Sequence, residues 1–298
     1  MSKKPKVISI VGPTSSGKTT LSIKIAQYFN GEVISADSRQ VYRGLDIGTG
    51  KVTEEEMEGV PHHLIDVVDV NEIYTGANFV KDANTAIATI LKNGRLPIIA
   101  GGTFFYTDLL RGKMMAAPVE PDNEFRDTLE RYSNEELLDL LRQKDAQRAD
   151  SIDPHNRRRL VRALEIIHTL GTIPEQKTAD SDYDWLIIGV EVEKEMLRKK
   201  FSIRLEEWLE RGFLEEVANI EKATSPERFQ ELGFEYTLTT EFINKKITKE
   251  ELFEKFIQKN WQYAKRQMTW LKRDAEIEWF EPSNTEEICQ RIEKFLSE

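Results

Sequence analysis

The chain has 298 residues, 39% of them apolar, which is enough for one large domain with an insertion or for two modest domains around a true core. A single cysteine and four histidines exclude a disulfide framework, an iron–sulfur cluster and a cysteine-based zinc finger, so any metal is expected to be Mg²⁺ held by oxygens. With 42 Lys and Arg against 52 Asp and Glu the net charge is −10, which argues mildly against nucleic-acid binding by the surface as a whole.

After the opening charged residues, the apolar run 7–11 has the length and β-branched content of a buried parallel strand, and it is too short for a signal peptide or a membrane span. A cytoplasmic protein without a membrane segment is expected. The run leads into Gly12-Pro13-Thr14-Ser15-Ser16-Gly17-Lys18-Thr19. Leu21, Ile25 and Phe29 then follow at helical spacing, so the glycine-rich segment joins a strand to a helix. Gly12 and Gly17 permit positive φ, which lets consecutive backbone N–H groups turn toward a phosphate at the positive end of the helix dipole. Lys18 adds charge against the terminal oxygens, and the Thr19 hydroxyl suits Mg²⁺. A diphosphate site is therefore expected; the loop alone leaves open whether that diphosphate belongs to a nucleotide.

The apolar runs 33–36, 63–68, 96–100 and 186–192 read as further buried strands, most of them separated by helical stretches. The pattern implies an α/β fold of the P-loop NTPase type: right-handed βαβ units and a mainly parallel sheet flanked by helices, with ligands at the carboxyl ends of its strands. The phosphate loop, Asp37, the segment 66–69 and Gly101-Gly102-Thr103 all fall at such ends. Residues 118–155 lose strand character and become polar and helical, with Leu137, Leu138 and Leu141 as apolar marks. They are expected to form an inserted helical subdomain between a first part of the core, 1–117, and a continuation, 156–298, that ends in a helical region. Residues 178–184 read as a polar linker.

Basic residues concentrate at 157–162, 194–204 and 265–273, so an acidic protein can still steer RNA onto one face. In 156–165, Arg158, Arg162 and Glu165 share one face of an amphipathic helix. The two arginines suit phosphate oxygens, unless that face is simply solvated. In the last long helix, Phe253, Ile257, Trp261, Ala264, Met268 and Leu271 make one stripe at about 100° per residue, and Trp270 points roughly 130° away from it. Such a tryptophan either stacks on an RNA loop or packs elsewhere on the protein.

Six segments occur in an order that resembles the bacterial tRNA dimethylallyltransferases: 12–19, 35–51 (SADSRQVYRGLDIGTGK), 61–66 (PHHLID), 101–106 (GGTFFY), 156–165 (NRRRLVRALE) and 265–271 (KRQMTWL). The resemblance implies transfer of a dimethylallyl group from dimethylallyl diphosphate to the exocyclic amine of the adenosine 3′ of the anticodon, in tRNAs reading U-starting codons. It implies Mg²⁺ as cofactor and the tRNA anticodon stem-loop as partner; a monomer is expected. In that scheme Asp37 accepts the amine proton, with a metal-adjacent or helix-capping aspartate as the alternative. Lys18 and Thr103 complete the catalytic set, Thr14 holds the diphosphate, and Arg204 is a further candidate for it. Contacts to tRNA fall to Asp37, Ser38, Arg39, Gln40 and Thr103 around the base. Arg126 contributes from the insertion, Arg158, Arg159, Leu160, Val161 and Arg162 from the helix that follows it, and Lys265, Arg266, Gln267, Trp270 and Lys272 from the last long helix.

The chain departs from the family pattern in two places. Phe104 and Phe105 stand where relatives commonly carry Gly-Leu, and QELGFE at 230–235 occupies a stretch where many relatives carry arginines and Gly-Tyr. Two other functions are weighed: prenylation of free adenine nucleotides, and a P-loop kinase or NTPase in which Asp37 would serve a hydroxyl or hold Mg²⁺.

Overall fold

The structure is a computed structural model and describes residues 3–174 and 178–298. The first two residues of the opening stretch thus lie outside the described residues. In chain order the elements begin β1 (Lys6–Val11), α1 (Lys18–Phe29), β2 (Gly31–Ser35), β3 (His62–His63), α2 (Gly76–Lys92), β4 (Leu96–Gly101) and α3 (Phe104–Leu110). Four helices follow without a strand: α4 (Asn123–Leu129), α5 (Asn134–Lys144), α6 (Ala146–Ser151) and α7 (Arg157–Leu170). The chain then continues with β5 (Asp184–Val190), α8 (Lys194–Glu210), α9 (Phe213–Ala223), α10 (Pro226–Leu232), α11 (Phe234–Ile243), α12 (Lys249–Leu271), β6 (Ile277–Phe280) and α13 (Thr285–Ser297).

The six strands among the described residues pair in parallel, in the order β3-β2-β4-β1-β5-β6. Both faces of the sheet are covered, which is why its strands read as near-continuous apolar runs. Alternation along the strands sends Ile8, Ile10, Val33, Ile98 and Ile188 into a cluster with Leu21 and Ile25 of α1 and Ile288 and Ile292 of α13. Val7, Ile34 and Ile99 join the opposite cluster with Phe79 and Ile87 of α2, Phe201 of α8 and Phe256 of α12. Because β1 lies between β4 and β5, and β2 lies beside β4, the carboxyl ends of β1, β4 and β2 are adjacent. The phosphate loop, the Gly102-Thr103 turn and Asp37 therefore come together at one edge.

Two readings of strands need correction. The run 63–68 contributes only His63 to the two-residue β3, because Leu64 and Asp66 adopt positive φ (63° and 56°) and the chain leaves the ladder there. The short β6, which pairs with β5 from Ile187↔Ile277 to Val190↔Phe280, was not anticipated. Four residues after a helix give too little periodicity to reveal a strand.

The chain divides into two compact units, residues 1–111 with 180–298, and residues 112–179. The second unit is wider than the expected insertion at 118–155 and takes in α7, which the sequence assigned to the core continuation. The reason is packing: Leu160, Ala163, Leu164 and Ile167 of α7 share one core with Leu129, Leu137, Leu141 and Ile152. Helices of this unit are capped by Asp122, Ser133, Asp145 and Asn156, with a full capping box at Ser133 and Glu136. Among the described residues, no helix is long and apolar enough to cross a membrane.

Candidate active site

The phosphate loop leaves β1 and enters α1 through Gly17, whose φ of 94° a side chain would strain. Ser15 is also left-handed at φ 59°, a cost that a non-glycine residue bears where its side chain has a defined task. That task is visible: Arg204 of α8 donates from Nη1 to the hydroxyls of both Thr14 and Ser15, each at 3.1 Å. From Nη2 it donates to the Thr49 carbonyl at 3.2 Å, and its guanidinium lies 4.6 Å from the Trp208 ring centroid. Gly50 makes room for this arm, since at its φ of 59° a methyl group would overlap the Arg204 guanidinium. Burial lowers the Arg204 pKa, and the negative charges of Glu235, Asp37 and Glu207 oppose that shift. An arginine remains charged under such a shift.

Lys18 curls back over the loop and donates from Nζ to the Pro13 carbonyl at 2.6 Å. Burial brings its pKa down to about 7; Asp37 works against the shift and Arg204 adds to it. An anion bound at the loop would restore the proton, so binding takes up a proton above pH 7. The affinity for inorganic diphosphate is therefore expected to fall as pH rises past 7, by up to about tenfold per pH unit. Titration calorimetry of wild type and Lys18→Met between pH 6 and 9 checks this. The variant should keep only the slope that diphosphate itself contributes.

Opposite the loop, Asp37 follows β2, and its Oδ1 accepts from the Arg39 amide at 2.8 Å, which fixes the plane of the carboxylate. Thr103 pins the neighbouring residue. Its Oγ1 accepts from the Ser38 amide at 3.0 Å and donates to the Ser38 hydroxyl at 3.3 Å, while the Thr103 amide donates to the Ala36 carbonyl at 3.0 Å. Thr103 thus holds the Asp37 turn by three hydrogen bonds. Gln40 faces the protein: its Oε1 accepts from the Ser35 hydroxyl, and its Nε2 donates to the Gly50 carbonyl.

Gln267 of α12, expected at the RNA surface, is 5% exposed. Its Oε1 accepts from the Thr14 amide at 2.9 Å and its Nε2 donates to the Gly102 carbonyl at 3.0 Å, so it ties the phosphate loop to the turn before Thr103. The buried stripe of α12 is Leu252, Phe256, Asn260, Ala264, Gln267 and Leu271. Phe253, Ile257 and Trp261 lie partly buried at its flank. An apolar count missed this face because Asn260 and Gln267 are polar. Trp270 is half-buried, packs in the cluster of Val11, Phe104 and Leu271, and donates from Nε1 to Asp108 at 2.8 Å. The structure thus takes the packed alternative for this residue. Lys265, Arg266 and Lys272 are exposed. Phe104 is buried in the same cluster behind Thr103, whereas Phe105 is 43% exposed.

Three residues near Asp37 escaped the sequence reading. Glu235, in the departing QELGFE segment, has its carboxyl pushed up to about 6 by burial, opposed by its own backbone amide and by Arg39 and Arg204. Tyr106 and Tyr263 both have their pKa raised, first by burial and then by negative charge that includes Asp37. Only the acidic departure at Glu235 left a mark in the sequence.

In the second unit, Glu165 is fully buried and organises the arginines. Arg126 binds it through Nε at 2.7 Å and Nη2 at 3.0 Å, Arg162 binds it through Nη1, and the Asp122 amide donates to it at 2.8 Å. Burial raises the Glu165 pKa, but these hydrogen bonds outweigh it and hold the carboxyl below its usual value. Leu160 is buried in this unit's core, and Val161, partly buried, packs against it. Arg158 and Arg159 are exposed. Replacing Glu165 with Gln should destabilise this unit by about 2–3 kcal/mol, because two guanidinium partners lose their counter-charge. A lowered first transition in differential scanning calorimetry would show it; an unchanged trace would mean the network is dispensable.

Residues 40–274 match the family model described as IPP transferase. The chain belongs to the IPP transferase family. Relatives in the family include a tRNA dimethylallyltransferase of Staphylococcus carnosus, 40% identical over 98% of both chains. Another is a tRNA dimethylallyltransferase of Anoxybacillus flavithermus, 36% identical over 98% of this chain and 95% of the relative. Among solved structures, the full-length tRNA isopentenylpyrophosphate transferase of Bacillus halodurans superposes with a TM-score of 0.74 at 34% identity, covering 99% and 97% of the two chains. A eukaryotic dimethylallyltransferase acting on tRNA gives a TM-score of 0.79 at 31% identity, covering 93% of this chain and 74% of its own. Within the IPP transferase family fold, the glycine-rich loop 12–19 and the Asp37 turn both stand at the carboxyl edge of the sheet.

Proposed function

We propose that this chain transfers the dimethylallyl group of dimethylallyl diphosphate to the exocyclic amine of the adenosine 3′ of the anticodon, in tRNAs reading U-starting codons. The observation that supports the reading is that the basic groups of Lys18 and Arg204, gathered around Thr14 and Ser15, are coupled electrostatically to the fixed carboxylate of Asp37, an arrangement suited to a diphosphate beside a proton acceptor. The allylic C–O bond breaks and its electron pair leaves with diphosphate. A C–N bond forms from the adenine amine, and that amine's proton passes to Asp37. Lys18 and Arg204 neutralise the leaving group as its charge develops. Thr103, through its three hydrogen bonds, keeps the Asp37 turn in register with the loop.

Mg²⁺ fits the loop by the chemistry of its donors. Thr19 is exposed in the first turn of α1 beside Lys18, and among the described residues no group of three or more His, Cys, Asp and Glu offers a closed cage. A hydroxyl together with diphosphate oxygens and water suits a hard cation of this size. When bound, it adds positive charge to the diphosphate oxygens. On the tRNA side, exposed Lys265, Arg266 and Lys272 of the first unit would meet the phosphates of an anticodon stem-loop, and Arg158 and Arg159, exposed on the second unit, are separate candidates for phosphate contact.

The test is incubation of the purified protein with Mg²⁺, dimethylallyl diphosphate and unmodified tRNA, followed by mass spectrometry of the nucleosides. Isopentenyladenosine in the tRNA is the expected product. Transfer to AMP alone, or ATP consumption without prenyl transfer, would overturn the reading.

A further inference from the structure

Between Asp46 and Gly48 three consecutive backbone amides point the same way, the arrangement that forms an anion nest. A side chain of the protein fills it. Glu216 of α9 accepts from the Asp46 and Ile47 amides through Oε2 at 3.0 and 2.6 Å, and from the Gly48 amide through Oε1 at 2.9 Å. The Tyr236 hydroxyl, on a residue only 1% exposed, donates to the same Oε1 at 2.8 Å. Gly48 fits closely here, since a methyl group on it would sit 2.8 Å from the Tyr236 ring and would overlap Phe213.

The two residues that follow the nest are the ones the site leans on. The Thr49 carbonyl receives Arg204, whose other nitrogen reaches the Thr14 and Ser15 hydroxyls of the phosphate loop. The Gly50 carbonyl receives the amide of Gln40, which closes the segment that begins at Asp37. Gly50 also donates its amide to Ile47, inside the nest, so the loop transmits its position over a single turn.

We propose that Glu216 is a positioning residue for the reaction. It locks the 46–50 loop as a shared strut that sets the diphosphate arm through Arg204 and the acceptor segment through Gln40. The inference rests on the prenyl-transfer reading above and adds a residue that touches neither substrate.

Glu216→Gln keeps the size of the side chain but turns an NH₂ group toward amides that need an acceptor. Tyr236→Phe keeps the ring packing and removes one donor. Affinity for inorganic diphosphate with Mg²⁺ is measured by calorimetry, the thermal midpoint by circular dichroism, and kcat and the KM for dimethylallyl diphosphate by prenyl transfer to tRNA. Glu216→Gln is expected to weaken diphosphate binding and raise that KM by about tenfold, and to lower kcat by about tenfold, because both arms shift together. Tyr236→Phe should give about a threefold change in the same direction. A Glu216→Gln protein that melts earlier but, while folded, binds diphosphate and turns over like wild type would reduce Glu216 to a structural residue and overturn the proposal. If Glu216→Gln does not fold, Tyr236→Phe decides, and wild-type affinity and kinetics in it overturn the proposal. Wild type that binds diphosphate but makes no prenylated tRNA would sink the functional reading instead, while the diphosphate measurement on the variants still reports on the strut.

Discussion

Asp37→Asn is expected to lower kcat for prenyl transfer by about 10²–10⁴, the usual contribution of a positioned general base. Affinity for dimethylallyl diphosphate should stay within a few-fold of wild type. The asymmetry follows from the geometry. Asn keeps an oxygen that can accept from the Arg39 amide, so the turn held by Thr103 and Ser38 survives. What is lost is the basic oxygen that takes the amine proton, and a neutral amide cannot replace it. The adenine amine is a poor nucleophile because its lone pair is delocalised into the ring, so the loss falls on the chemical step. Single-turnover transfer to tRNA at saturating donor, beside donor binding by calorimetry, separates the two quantities. A variant with undiminished single-turnover rate would remove Asp37 from the proton transfer and leave it a loop-shaping residue.

Arg204→Ala is expected to cost about 10²–10³ in kcat/KM for the donor, the scale seen when one preorganised donor to a developing anion is removed. Here the loss has two sources. The guanidinium contributes charge beside Lys18, and it also ties Thr14 and Ser15 to the Thr49 carbonyl. Arg204→Lys should recover little, because one ammonium cannot span three oxygens on two loops or stack over Trp208. Gly50→Ala offers an independent check, since the added methyl collides with the guanidinium and leaves its charge in place. Its binding of inorganic diphosphate should weaken as well, by less than in Arg204→Ala. Wild-type diphosphate affinity in Arg204→Ala would show that Lys18 and the loop amides suffice.

These two residues differ in how far the sequence revealed them. Asp37 stands at the end of a strand in a segment with a strong family resemblance, and its position opposite the phosphate loop follows from strand order alone. Arg204 was offered as a further candidate for the diphosphate from its place on the helix after the last core strand then recognised, but without partners. Its role depends on where α8 crosses the phosphate loop, which no local pattern encodes. Gln267 went the other way. It sits among basic residues, and so reads as part of an RNA surface, yet the fold buries it between Thr14 and Gly102. Leu160 is likewise enclosed in the core of its unit, Val161 packs against that core, and Trp270 takes the packed alternative that the sequence had left open.

By itself, the sequence determined the parallel α/β sheet, the strand–loop–helix at 6–29, the clustering of ligand groups at strand ends and the presence of a helical insertion. Each of these is written in local periodicity and in glycine-rich turns, where short-range sterics and the need to bury apolar runs favour one outcome. The tertiary structure alone decided which polar side chains face inward: Glu216 in its nest, Gln40 on Gly50, Gln267 across two loops and Glu165 among its arginines. A buried polar group is stable when partners meet it, and here the deciding ones come from segments as far as 253 positions away, which no local pattern encodes.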